Sequence, residues 1–218
     1  MTPSKIAHSN RCPWDYADVC AFLICVVMAA TVLRLAIVLH LLSSQSVGQP
    51  SMLLQAALCS YVLLALYATL KFRHGGPVWR ALGWTLPAGK YILTASIGGI
   101  VLASAVTFLL RFRGIPAAFG VAWKVAVLAA TIGPVLEESF FRGCLLPLVA
   151  RAMGAPAAVV LTAILFAMFH QPPTIIHCVC FFLSGVVYGW MRVDSGSTTA
   201  AALMHAAYNL TLFMWQRL

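Results

Sequence analysis

The chain has 218 residues, of which 62% are hydrophobic and 9% charged, with a formal net charge of +9. Soluble domains carry about 25% charged residues, so this composition argues against a soluble globular fold. The basic residues sit in short flanks between apolar runs, with no basic patch interleaved with aromatics. They suit helix anchoring in a bilayer, and no nucleic-acid partner is expected.

Several runs approach the ~20 apolar residues that a spanning helix needs. They predict an all-α fold: a polytopic transmembrane bundle of about eight helices, forming a single integral-membrane domain over residues 1–218. The first helix is expected over Tyr16–Leu42, behind Lys5 and Arg11. It is too long for a signal-peptide core and lacks a small-residue cleavage site, so it reads as retained. Arg34 inside it must snorkel or pair. A neutral loop leads to a second helix over Met52–Leu70. Lys71–Lys90, with Arg73, Arg80, Trp79 and Trp84, reads as a loop or interfacial helix with an aromatic and basic anchor. The third helix covers Tyr91–Leu110 and ends in the basic turn Arg111–Arg113. The fourth runs from near Pro116 to Glu137 and Glu138, with Lys124 unexplained along it, and the fifth covers Cys144–Met153. The sixth starts near Ala155 and stops at His170, before Gln171-Pro172-Pro173. The seventh covers Ile175–Met191 and the eighth Thr198–Trp215, joined by the turn Asp194-Ser195-Gly196-Ser197.

A charge-free first loop between a basic N-terminus and a basic second loop predicts cytoplasmic termini, although Arg111 and Arg113 break the rule in that orientation. The seven cysteines do not look like a disulfide framework. Six lie in or beside apolar segments, and Cys178 and Cys180 lack the C-x-x-C spacing of redox or zinc sites.

The only two glutamates in the chain are neighbours, Glu137 and Glu138. A charge at mid-bilayer costs roughly 2.5–3.5 kcal/mol on insertion scales, and two adjacent carboxylates repel. Such a pair must be neutralised or used. Glu138 and Arg142 stand at i,i+4, with the acid first, the favourable order. Glu137 lies about 100° away around the helix and needs another partner or serves as a base. Phe166 and His170 on the sixth helix, and His205 and Asn209 on the eighth, repeat the i,i+4 spacing. Taken singly, these are an ion pair, a packed histidine and an interhelical amide. Converging, they supply carboxylates, imidazoles and an amide donor, enough to activate water and hold an oxyanion. His8, His40, His74 and His177 match no such spacing and read as loop or packing residues.

The patterns E-E-x-x-x-R, F-x-x-x-H and H-x-x-x-N, in that order, resemble the CPBP family of type II CAAX prenyl endopeptidases and Abi proteins. They are carried here by Glu137-Glu138…Arg142, Phe166…His170 and His205…Asn209. The likeness covers about residues 125–212, the expected catalytic core. It implies a glutamate-type intramembrane endopeptidase with no cofactor or metal. Glu137 and His170 would activate water, His205 and Asn209 would form the oxyanion hole, Glu138 and Arg142 would support the site, and Phe166 would shape the substrate pocket. The expected partners are the lipid bilayer and a membrane-anchored or lipidated peptide or protein substrate. The expected location is multi-pass, in the plasma membrane of a prokaryote. Two rival readings remain open. One is a zinc protease using His170, His205 and Glu137, although no H-E-x-x-H is present. The other is a non-enzymatic transporter or immunity-type protein, although no inverted repeat or broken-helix pair is apparent.

Overall fold

The computed structural model describes residues 14–43, 52–115 and 123–215. Lys5, His8, Arg11, the first loop and the start of the fourth helix at Pro116 lie outside the described residues. So do the side chains of Arg34, His40 and Lys124. Among the described residues every regular element is helical. Eight helices of two turns or more follow the predicted order: α1 Tyr16–Ser43, α2 Met52–His74, α3 Gly89–Phe112, α4 Trp123–Glu138, α5 Leu146–Met153, α6 Ala155–Phe169, α7 Ile175–Ser195 and α8 Thr198–Trp215. A single helical turn, Val78–Ala81, lies between α2 and α3.

Two helices run about a turn further than hydropathy predicts. α2 continues through Lys71, Arg73 and His74, and α7 through Arg192. Cations in a last turn complement the negative end of the helix dipole, so loss of hydropathy does not mark the helix end. α7 stops at Gly196, which takes φ +69° and donates its N–H to Arg192 O at 3.0 Å. A left-handed residue there closes the helix at little steric cost when it is glycine.

The chain divides into two compact units, Trp14–Val78 and a larger one from Trp79 onward. In the smaller unit, α1 and α2 pack together. Buried Asp18, in the first turn of α1, receives the Arg73 guanidinium and the His74 Nε2, the latter at 2.7 Å. His74 therefore has an electrostatic partner rather than a packing role alone.

In the larger unit α8 is central, packed most extensively on α3 and also on α4 and α7, while α6 packs on α5 and α7. Small residues set these approaches. A Cβ on Gly99 of α3 would sit 2.3 Å from the Met204 carbonyl oxygen of α8. Cβ atoms on Gly185 and Gly189 of α7 would come within 3.0 Å of Ala163 and Val159 on α6. Close contact through glycines four apart is how helices associate where lipid removes the hydrophobic driving force.

The outer surface is apolar. On α3, Leu93, Val101, Phe108 and Phe112 are each at least 60% exposed. Patches of this kind are rare on soluble monomers. α3 and α7 are long and apolar enough to cross a membrane.

Between α4 and α5 the backbone does not break. Ser139–Leu145 forms a π-helical segment, with Leu146 N–H bonded to Phe141 O, five residues back. Pro147 follows in the first turn of α5. It has no N–H to donate and would clash with the carbonyl four residues before it in a regular helix. Widening the preceding turn accommodates it, and π segments of this kind recur at functional sites.

Candidate active site

Glu138 and Arg142 are both fully buried, with Arg142 Nη1 donating to Glu138 Oε1 at 3.0 Å. The helix spacing predicts this pair; two further contacts complete it. Arg142 Nη2 donates to the Gly185 carbonyl on α7 at 2.8 Å. His205 Nδ1, from α8, lies 2.9 Å from the same Glu138 Oε1. A carboxylate held by arginine only accepts, so Nδ1 carries the proton and Nε2 is the free ring nitrogen. Glu138 and Arg142 together thus tie the π segment to α7 and α8. The Arg142 cation offsets the burial of the carboxylate, which several kcal/mol of desolvation would otherwise oppose.

Aromatic faces fix the orientation of these groups. The Arg142 guanidinium lies 4.5 Å over the Phe166 ring and 5.4 Å over the Tyr188 ring. Tyr188 also stacks on His205, with centroids 4.8 Å apart and planes at 20°. Its hydroxyl is buried without a hydrogen-bond partner, as is Glu138 Oε2.

The second glutamate faces differently. Glu137 is 18% exposed, against 0% for Glu138, and its Oε2 lies 3.5 Å from His170 Nε2. His170 Nδ1 is 2.8 Å from the Phe166 carbonyl. A carbonyl only accepts, so Nδ1 is the donor, and when the ring is neutral its Nε2 lone pair faces Glu137. The imidazole is stacked on Phe181 at 4.3 Å and 26°, and contacts Phe166 at 4.5 Å. His170 caps α6, and Gln171 follows at φ +46°, a conformation that non-glycine residues adopt at a cost. The turn into Pro172-Pro173 therefore fixes where the imidazole stands.

The structure thus joins five of the seven expected site residues into two carboxylate–histidine pairs: Glu138, with Arg142, to His205, and Glu137 to His170. Phe166, 1% exposed, packs between the pairs, 5.8 Å from His205. Asn209 lies one turn after His205 on α8 and is half-buried. His170, His205 and Glu137 are not gathered into a three-ligand set, and no such group of His, Cys, Asp or Glu occurs among the described residues.

Tyr188, Phe181 and the Gly185 carbonyl escape the sequence reading. Tyr188 lies between Gly185 and Gly189 on α7, but a tyrosine among apolar residues gives no signal of its own. A further support comes from the loop before α3. Trp84 Nε1 donates to Ser139 Oγ at 3.0 Å, and Ser139 Oγ donates to Val135 O at 2.6 Å. The same loop is pinned to the α7–α8 turn, where Thr198 N–H donates to Gly83 O at 2.8 Å and Ser197 Oγ to Thr85 O at 2.5 Å. Trp84, read from the sequence as part of an aromatic and basic anchor, also hydrogen-bonds the residue next to the glutamate pair.

Residues 118–211 match the family model described as Rce1-like, type II CAAX prenyl endopeptidase. The matched segment, less than half of the chain, contains every residue of both pairs. No curated protein and no solved structure matches the chain.

Proposed function

We propose that this chain hydrolyses a peptide bond of a membrane-associated substrate with a water activated jointly by Glu137 and His170, without metal or acyl-enzyme. One observation carries the reading. Glu137 Oε2, itself buried, and the lone-pair nitrogen of His170 face each other at 3.5 Å, and both side chains keep some exposure. Two acceptors so placed can share the protons of one water, and removing a proton as the oxygen attacks is general-base catalysis. The buried triad works beside it. Glu138 and Arg142 hold His205 so that Nε2 is available. Donation from Nε2 to a developing oxyanion requires both ring nitrogens to be protonated, and Glu138 offsets that charge. Asn209 supplies the second donor, and Phe166 shapes the substrate pocket from behind by setting the planes of both histidines. The substrate is a membrane-anchored or lipidated peptide or protein, and the enzyme is multi-pass in the plasma membrane of a prokaryote.

The test compares peptides released from membranes containing the wild-type, Glu137→Gln and His170→Ala proteins. Both variants are expected to accumulate normally and to lose cleavage by about 10²–10⁴-fold, the usual worth of a positioned base. Full turnover by Glu137→Gln would remove the water-activating role.

A further inference from the structure

Away from the glutamates, a cavity of about 370 Å³ opens among the start of α3, the end of α7 and α8. Its lining includes Lys90, Tyr91, Trp190, Asp194 and Met204. Lys90 is the second residue of α3 and Asp194 the penultimate residue of α7. These are the two helices long and apolar enough to cross a bilayer. The Tyr91 hydroxyl donates to the Asp194 carbonyl at 2.8 Å and ties the two ends together. With α3 and α7 spanning the bilayer, as the proposed function has them, the cavity stands where two spans meet the membrane surface, at headgroup depth, and has the tyrosine and tryptophan that favour that level. Gly185, which marks the level of the buried triad, lies roughly 14 Å further along α7 at about 1.5 Å per residue.

The charges of this cavity are arranged in an unusual way. A lysine and an aspartate line the same space, yet they form no ion pair with each other. The Lys90 ammonium instead lies 4.8 Å over the Tyr91 ring. A cation and an anion that flank a cavity without meeting complement a ligand with both charges, separated by a short linker. At this depth in a bilayer that ligand is a lipid.

We propose that the cavity seats the headgroup of a zwitterionic glycerophospholipid with a primary ammonium, of the phosphatidylethanolamine type. The phosphate sits against Lys90 and the ammonium against Asp194, whose carboxylate accepts its N–H bonds. Trp190, 41% exposed, and Met204 cover the glycerol end. Phosphatidylglycerol shares the phosphate but has no ammonium. Phosphatidylcholine has a cation that cannot donate a hydrogen bond.

Trp190 provides the reporter. The full chain is reconstituted with lipids brominated on the acyl chain near the glycerol, and tryptophan quenching is compared for the ethanolamine, choline and glycerol headgroups. Subtracting the Trp190→Phe signal isolates the cavity. The expected result is an apparent affinity about fivefold higher for the ethanolamine lipid, the scale of one exposed charge pair. The preference should disappear in Asp194→Asn, and Lys90→Ala should weaken all three lipids. Equal quenching by the three headgroups in the wild type, or a preference unchanged in Asp194→Asn, would overturn the proposal. So would a peptide, rather than a lipid, found in the cavity by mass spectrometry of the purified protein. Cleavage activity is not part of the readout, so the outcome is independent of the proposed catalytic role.

Discussion

At the scale of single residues, two adjacent carboxylates have been given different surroundings. Glu138 has no exposed surface and two cationic or proton-donating partners, whereas Glu137 keeps some exposure and faces a histidine lone pair. The i,i+4 spacing made the Glu138–Arg142 half legible, because both residues lie on one helix. The His205 and Gly185 contacts were not, since they depend on how three helices come together. Removing one member of a buried ionic group leaves a charge without compensation. Arg142→Met is therefore expected to cost about 3–5 kcal/mol, read as a large fall in the thermal midpoint in detergent. The double variant Arg142→Met, Glu138→Gln should recover part of it. Asn209→Ala belongs to a different category. As an oxyanion donor, Asn209 should, when truncated, lower kcat by the equivalent of about 2.7–4 kcal/mol in activation free energy with little change in KM. A KM effect alone would place Asn209 in substrate binding instead.

At the scale of elements, helix order and most helix ends follow from hydropathy, prolines and the Gly196 turn. The π segment does not. Nothing in Ser139-Phe140-Phe141-Arg142-Gly143 distinguishes it from a regular helix, and Pro147 signals only that some adjustment must occur nearby. Glycine positions are visible in the sequence, but not which helix each one faces. Gly99 is the sharpest case, since its missing side chain is what lets α3 reach the α8 backbone. Gly99→Val is expected to separate the helices at an overpacking cost of about 1–3 kcal/mol, read in a thermal melt. Gly114, where a Cβ would meet nothing within 4 Å, makes an unsuitable control because its φ is +65°. Gly89, equally open and without that strain, is the suitable one.

At the scale of the whole molecule, the composition announces a membrane protein, and the surface agrees. Large apolar side chains stand exposed along α3, α6 and α7. The chain is expected to stay with the membrane pellet through an alkaline carbonate wash and to leave it only in detergent. Appearance in the wash would contradict a spanning arrangement. The Rce1-like segment falls within the larger of the two compact units. The motifs made this legible because chemistry-bearing residues in the second half of the chain are few and regularly spaced. The supporting parts were not, because Trp84, Phe181 and Tyr188 resemble any other aromatic in an apolar run.

The wide turn at Ser139–Leu145 makes residue count a property of the site. Suppose one residue were deleted there, with every named side chain kept. The segment could then close into regular α-helix, with α5 kept near its present phase because the wide turn had absorbed the extra residue. Leu148 and Val149 would stay buried, but Arg142, inside the widened turn, would be re-aimed and leave the Gly185 carbonyl. The chemistry would be intact and the alignment lost. A single-residue deletion in this segment should therefore disable the protein as fully as the loss of Glu137, and without removing any catalytic group.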